Sequence, residues 1–162
     1  MTTGRAGTTK NFSVKDSVID FEGRKGGGHL HTEKTFQDFE LRMEFRFVIG
    51  GSDSGIFFRK YQVRTKPQAS IKGLGEIRGG KNEVLDRKHD IDAVKKAIKP
   101  VGEWQTYTII ANGPHAEAWL NGVLVCTVEG LKELNAGSVG LQGEYGHLQF
   151  RNIRIKELSG KK

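Results

Sequence analysis

Apolar and polar residues alternate in short runs along most of the chain. The clearest run covers positions 38–48, where apolar side chains at 39, 41, 43, 45 and 47 alternate with charged ones. A period of two predicts a strand with one face in a core and the other in water. Glycines, of which there are 22, separate this run from about ten similar ones, a pattern typical of all-β proteins. We therefore expect a sandwich of two antiparallel sheets.

Three local motifs sharpen this prediction. Asn121-Gly122 joins two alternating runs, and such a pair favours the type I′ turn of a β-hairpin. In the last run, apolar positions 150, 153 and 155 break the period of two, which predicts a bulge near residues 151–152. The glycine-rich segment 50–55 lets the chain change direction, and we expect it to cross to the other sheet. Arg59 would then take the parity opposite to Ile56 and Phe58 and face a groove.

One segment has a helical pattern. Asp90 is a candidate N-cap, and Ile91, Val94 and Ile98 follow at helical spacing, so we expect a short helix. It lies in a connection, residues 66–99, that otherwise looks like loop. A connection of this length in one domain is usually functional or mobile.

The net charge of +7 is concentrated in the two ends and in residues 60–99, which hold eleven Lys and Arg against five Asp and Glu. Solvated loops explain this pattern better than a nucleic-acid surface, since aromatic residues for base stacking are scarce there. No apolar run approaches the roughly 20 residues of a membrane span. The first ten residues lack the apolar core of a signal peptide. A single cysteine excludes an internal disulfide.

The sequence has no phosphate loop, dinucleotide motif, nucleophile elbow or cysteine-based zinc spacing. His29 and His31 would share one strand face and His147 could approach them, but ordinary surface histidines are the favoured interpretation. No cofactor is therefore predicted, although a divalent metal stays open. The polar strand positions instead hold the amides, guanidinium groups and carboxylate that a sugar site uses: Arg59, Gln62, Arg64, Gln105, Gln142 and Glu144.

Five blocks in chain order resemble the family of 3-keto-disaccharide hydrolase domains. They are LHTEKTFQDFELRMEFRF (30–47), GGSDSGIFFR (50–59), VGEWQTYTI (101–109), AWLNGVLV (118–125) and VGLQGEYGHLQFRNIRIKEL (139–158). The resemblance implies a concanavalin A-like jelly roll whose concave sheet holds a sugar site. Members are typically bacterial and exported, and act on glycosides whose C3 hydroxyl has become a ketone. The ketone acidifies the C2 proton, so that elimination across C1–C2 followed by addition of water cleaves the glycosidic bond.

This resemblance implies a set of site residues. The proton-transfer and oxyanion groups would come from Arg59, Asp53, Glu144 and His147, and the substrate would be held by Gln62, Arg64, Arg78, Gln105 and Gln142. The sequence departs from the family pattern at several of these positions. Tyr61-Gln62-Val63-Arg64 stands where the family has Tyr-Glu-x-Gln, Asp53 replaces an Asn, and Gly75-Glu76-Ile77-Arg78 replaces Gly-Ala-Leu-Tyr.

The predicted organisation is one sandwich domain over residues 12–158, with basic tails at 1–11 and 159–162. Three functions stay open. The first is an enzyme that cleaves keto-glycosides, and the second is a non-catalytic carbohydrate-binding module on the same sandwich. The third is polyanion binding through residues 60–99. The expected ligand is a carbohydrate, in oxidised or acidic form, without a membrane partner. The sequence does not fix the oligomeric state.

Overall fold

The two sheets of this protein are built from fourteen strands in a computed structural model that describes residues 2–3, 11–24 and 28–159. In chain order the strands are β1 (Thr2–Thr3), β2 (Phe12–Lys15), β3 (Val18–Gly23), β4 (Gly28–Phe36), β5 (Phe39–Phe47), β6 (Ser54–Phe58), β7 (Tyr61–Thr65), β8 (Ile77–Arg78), β9 (Asp86–His89), β10 (Gln105–Asn112), β11 (His115–Leu120), β12 (Val123–Glu129), β13 (Gly137–Gly143) and β14 (Gly146–Glu157). Helix α1 is Ile91–Ala97, and a 3₁₀-helix covers Gln68–Gly73.

The strands divide between a six-stranded and an eight-stranded sheet. The six-stranded sheet has the order β1-β4-β13-β6-β7-β8, and the eight-stranded sheet has the order β2-β3-β14-β5-β10-β11-β12-β9. All pairings are antiparallel. The predicted two-sheet, all-β sandwich is confirmed. The glycine-rich segment after β5 does carry the chain from the eight-stranded sheet to β6 in the other.

The core lies between the two sheets. The alternating side chains of β5 that the sequence assigned to the core are all buried, and the rings of Phe39 on β5 and Phe58 on β6 meet with centroids 6.0 Å apart. Burying each such side chain contributes about 1.5–3 kcal/mol. The hydroxyl of Tyr107 on β10 donates to the carbonyl of Arg64 on β7 at 2.9 Å and so ties the two sheets together.

The local motifs form as predicted. Leu120 pairs with Val123 across the Asn121-Gly122 turn, whose two residues have φ angles of 49° and 81°. The β5–β14 register shifts between Arg151 and Arg154, which is the predicted bulge. Helix α1 begins after Asp90, whose carboxylate accepts from the backbone N–H of Ala93 at 2.9 Å.

The connection 66–99 contains more structure than its sequence indicates. Besides α1 it holds β8, which extends the six-stranded sheet, and β9, which extends the eight-stranded sheet. At the N-terminus, Thr2 and Thr3 pair with β4 although the sequence places them in a tail. Tail residues 1, 4–10 and 160–162 lie outside the described part of the chain. None of the helices described is long and apolar enough to span a membrane.

Candidate functional site

The outer face of the six-stranded sheet collects polar side chains from β4, β13, β7 and β8, and β6 between them contributes Gly55 and Phe57. The residues of this face form two rows of cross-strand neighbours. In the second row His29 pairs with Gln142, and Gly55 pairs with Arg64. The first row consists of His31, Gly140, Phe57, Gln62 and Arg78. We call these two rows together the polar face. Strand alternation produces it, because each strand turns every second side chain away from the core.

Two glycines form the floor of the polar face. A Cβ at Gly55 would lie 2.2 Å from Nε2 of Gln62, so the Gln62 side chain lies directly across Gly55. From there its Nε2 donates to Oε1 of Gln142 at 2.6 Å. A Cβ at Gly140 would likewise lie 2.5 Å from Nδ1 of His31. The absent side chains therefore let neighbouring polar groups reach across the central strands.

Three arginines surround one carboxylate at the β8 end of the polar face. Glu76 Oε2 lies 3.0 Å from Nη1 of Arg64 and 3.2 Å from Nε of Arg78, and its Oε1 lies 3.1 Å from Nη2 of Arg87. The Glu76 side chain is 11% exposed. We call this group of four residues the arginine cluster. It carries two more positive charges than negative ones.

Two histidines and a phenylalanine occupy the β4 end. The His31 ring stacks on Phe57 with centroids 5.8 Å apart, and His29 meets Phe57 edge-on at 5.0 Å. Partial burial, helped by the neighbouring His29, lowers the pKa of His31 below its usual value. The His31 imidazole is therefore neutral at neutral pH, and its Nδ1 lies 3.2 Å from the hydroxyl oxygen of Ser138.

The two predicted carboxylates lie beside the polar face. Glu144 follows β13 and its Oε2 is 3.5 Å from Nε2 of Gln142, which extends the chain of amides from Gln62. Asp53 precedes β6, forms an isolated bridge with Tyr145 and is ion-paired with Lys66. The structure thus brings Gln62, Gln142 and Glu144 together, whereas the Asp53 carboxylate is held by its own cation.

The prediction that Arg59 faces the groove is wrong. Arg59 lies in the turn between β6 and β7 with a φ of 51°, and this left-handed conformation ends the strand alternation. Its side chain is fully buried and donates to the backbone carbonyls of Gln37, Gly113 and Glu133 and to the Asp38 carboxylate. Burial lowers the pKa of Arg59, and Asp38 opposes this change. Arg59 therefore fastens loops together, and Phe57 takes the outward position on β6.

Gln105 is also placed away from the polar face. It belongs to β10 of the eight-stranded sheet and is fully buried. Its Oε1 accepts from the backbone N–H of Lys99 at 3.1 Å and from Nδ2 of Asn121 at 3.1 Å. Gln105 therefore holds the connection after α1 against the β11–β12 hairpin. The expectation that it reads sugar hydroxyls in the same groove is corrected.

His147 lies on the outer side of the eight-stranded sheet. Its Nε2 is 2.7 Å from Oδ1 of Asp20, which also accepts from Gln149 at 2.7 Å. His147 is therefore separated from His29 and His31 by the thickness of the sandwich, so these three histidines do not form the metal site that the sequence left open as the less favoured alternative. Asp20, Glu22 and His147 place one ligand atom each within 4.8 Å of one another, a spacing that a divalent cation could bridge.

Sequence reasoning missed several residues of this surface. Glu76 was visible only as a departure from a family motif, and its role depends on β8 joining the sheet. Arg87 gave no signal, because β9 belongs to the other sheet and the contact with Glu76 crosses between sheet edges. Phe57 was detectable from alternation, once Arg59 was recognised as a turn residue.

Comparison with known proteins agrees with this architecture. A family model described as the 3-keto-alpha-glucoside-1,2-lyase-like domain matches residues 2–156. A 3-keto-disaccharide hydrolase from Bacteroides thetaiotaomicron is 24% identical over 212 residues, which cover 96% of this chain and 73% of that protein.

Solved structures show the same fold. A proposed glycosyl hydrolase from Parabacteroides distasonis superposes with a TM-score of 0.68 at 20% identity, over 91% of this chain and 90% of that one. The carbohydrate-binding module CBM66 from Bacillus subtilis superposes with a TM-score of 0.63 at 12% identity, over 93% of each chain. The predicted concanavalin A-like jelly roll is confirmed.

Proposed function

Because this chain belongs to the 3-keto-alpha-glucoside-1,2-lyase-like domain family, we propose that it binds a 3-keto-glycoside on the polar face and cleaves its glycosidic bond. The observation that carries this proposal is the continuous line of polar groups from Glu144 through Gln142 and Gln62 to the arginine cluster. Planar amides and guanidinium groups suit the paired hydroxyl and keto oxygens of a sugar.

The proposed chemistry assigns one role to each part of this line. The Glu144 carboxylate accepts the C2 proton, which the adjacent ketone makes acidic. The guanidinium of Arg64 and the amide of Gln62 donate to the enolate oxygen that then forms. The electron pair forms a C1=C2 double bond, the C1–O bond breaks, and the leaving oxygen takes the proton that Glu144 accepted from C2, which regenerates the carboxylate. Addition of water to the double bond completes hydrolysis.

The direct experiment compares a 3-keto-glycoside with its unoxidised parent carrying the same leaving group. We expect release of the leaving group from the keto form alone. Glu144→Gln should lower kcat by about 10²–10⁴-fold, the usual contribution of a proton-transfer group. Glu103→Gln, at an exposed turn position, is the matched control and should keep full activity. Equal turnover of both substrates, or full activity in Glu144→Gln, would overturn this assignment.

A non-catalytic carbohydrate-binding function is the second candidate. It is favoured by Gln62, which puts an amide where the family pattern has a carboxylate. The fold of CBM66 shows that this sandwich also occurs in binding modules. In this case the keto-glycoside would bind the polar face without release of its leaving group.

Polyanion binding is less well supported. Six of the eleven cations of residues 60–99 are ion-paired with acidic residues in the part of the chain that the structure describes: Lys60, Arg64, Lys66, Arg78, Arg87 and Lys95. Pairing reduces the charge that the segment offers to a nucleic acid.

A further inference from the structure

We propose that the arginine cluster is a subsite for the carboxylate of a uronic acid, so that the substrate is an acidic 3-keto-glycoside. The proposal rests on the function proposed above and names the substrate class of the same surface. It is based on an imbalance of charge, on hydrogen-bond donors left over after the internal contacts, and on continuity with the amides that would hold the sugar.

The charge imbalance lies around Glu76, where three arginines contact one carboxylate. One buried carboxylate is fully compensated by one well-placed guanidinium, yet Arg64, Arg78 and Arg87 all converge on it. The neighbouring ion pair of Lys66 with Asp53 is neutral and does not offset the excess. Two positive charges therefore remain at the β8 end of the polar face, where a substrate anion would balance them.

The hydrogen-bond donors that internal contacts leave unused belong to Arg78 and Arg64. Arg78 is 52% exposed and its one hydrogen bond to a described residue is from Nε to Glu76. Both of its Nη groups therefore remain for a ligand. Arg64 is 22% exposed and uses Nη1 alone on Glu76. Glu76 fixes the Arg78 guanidinium through Nε, so the Nη groups of Arg78 are already ordered as a fork that fits a carboxylate in two-pronged geometry, while Arg64 adds positive charge beside it.

Continuity with the sugar site follows from the strand register. Gln62 is the cross-strand neighbour of Arg78, and the Gln62 side chain contacts Gln142. A sugar ring lying on the two amides would therefore direct one end toward the arginine cluster. A carboxylate at that end would form charge-assisted hydrogen bonds with the guanidinium groups. A neutral hydroxymethyl group would form weaker ones.

The test compares a 3-keto-glucuronide with a 3-keto-glucoside that has the same leaving group. We expect kcat/KM to be at least about tenfold higher for the uronide in low salt, and the preference to shrink as salt rises. Arg78→Gln should reduce the ratio of the two kcat/KM values severalfold. Lys88→Gln removes a nearby exposed charge outside the cluster and should leave that ratio unchanged.

Measurements of binding distinguish a failure of the proposed subsite from a failure of the proposed catalysis. Dissociation constants for the two unreactive parent glycosides, measured by NMR titration, should favour the uronide even if neither keto substrate is cleaved. Cleavage of the neutral keto-glycoside with no preference for the uronide would overturn the subsite and leave the proposed function standing. Equal preference for a 6-sulfated glycoside would overturn the assignment to a carboxylate, because a general anion site would explain it.

Discussion

Arg59 shows how one residue can look functional in sequence and prove structural. It ends an apolar run beside a glycine-rich turn, yet its guanidinium is fully buried among three backbone carbonyls and Asp38. Removing one partner from such a buried pair leaves the other charge and the carbonyls unsatisfied. We therefore interpret Arg59 as a residue that stabilises the fold and does not touch substrate.

Arg59→Met should lower the free energy of unfolding by about 3–5 kcal/mol. Urea unfolding at neutral pH measures the change. Lys60→Met is the matched control and should leave the free energy of unfolding nearly unchanged, since Lys60 is 79% exposed and its ion pair with Glu133 is screened by solvent. If Arg59→Met unfolds like the wild-type protein but loses catalysis, our interpretation is wrong and the catalytic role is restored.

Gly55 is the residue on which the Gln62–Gln142 contact depends. In Gly55→Ala the new methyl group would displace the Gln62 amide, while the backbone keeps an ordinary conformation. We expect a stable protein whose kcat/KM on keto-glycosides falls by about 10²-fold, because a displacement near 1 Å can cost that much. Gly50→Ala, whose nearest contact would be Val101 at 4.0 Å, should behave as the wild-type protein. Unchanged activity in Gly55→Ala would contradict the position of the site.

At the scale of elements, the β11–β12 hairpin depends on its turn. Gly122 has a φ of 81° and a Cβ there would meet nothing within 4 Å, so substitution has only a conformational cost. Gly122→Ala should destabilise the protein by about 1–2 kcal/mol. Gly80 has equally open surroundings and no positive φ, so Gly80→Ala should be neutral or slightly stabilising. Similar melting temperatures for both variants would argue against the type I′ turn.

The same hairpin has a pH-dependent contact. Hydrogen bonding to Glu117, and then to Glu129, raises the pKa of His115 above its unfolded value. The resulting stability is fully present below the unfolded pKa of about 6.5 and is lost as pH rises through the folded pKa. Because the group is partly exposed, we expect the effect to be below about 1 kcal/mol. The free energy of unfolding of the wild-type protein minus that of His115→Gln should fall as pH rises across this range. A difference that is flat or increases would contradict the contact.

Elements with local causes could be predicted from sequence. The alternation of β5, the Asn-Gly turn, the β14 bulge and the Asp90 cap each depend on neighbours in the chain. Strands β8 and β9 could not be predicted from sequence, since β8 has two residues and β9 has the charged sequence Asp86-Arg87-Lys88-His89. Their pairing with β7 and β12 is set by tertiary contacts.

At the scale of the molecule, the sheet to which a strand belongs decides the function of its polar residues. Alternation correctly grouped Gln62 with Arg64 and put Gln142 on an outward position. It could not tell that Gln105 and His147 lie on the eight-stranded sheet, because parity gives a side chain's face and not its sheet. The candidate site could therefore be predicted only in part, and the remainder required the strand order.

The proposed function requires that a keto-glycoside bind on the polar face. Backbone amide shifts in NMR spectra of Glu144→Gln, titrated with a 3-keto-glycoside, locate the bound sugar. We expect the perturbed amides to lie on β4, β6, β7, β8 and β13, with the side-chain amides of Gln62 and Gln142 among those most affected. Perturbations confined to the outer side of the eight-stranded sheet would contradict this proposal; there the Trp104 ring packs against the guanidinium groups of Arg46 and Arg151, and His147 lies beside Asp20.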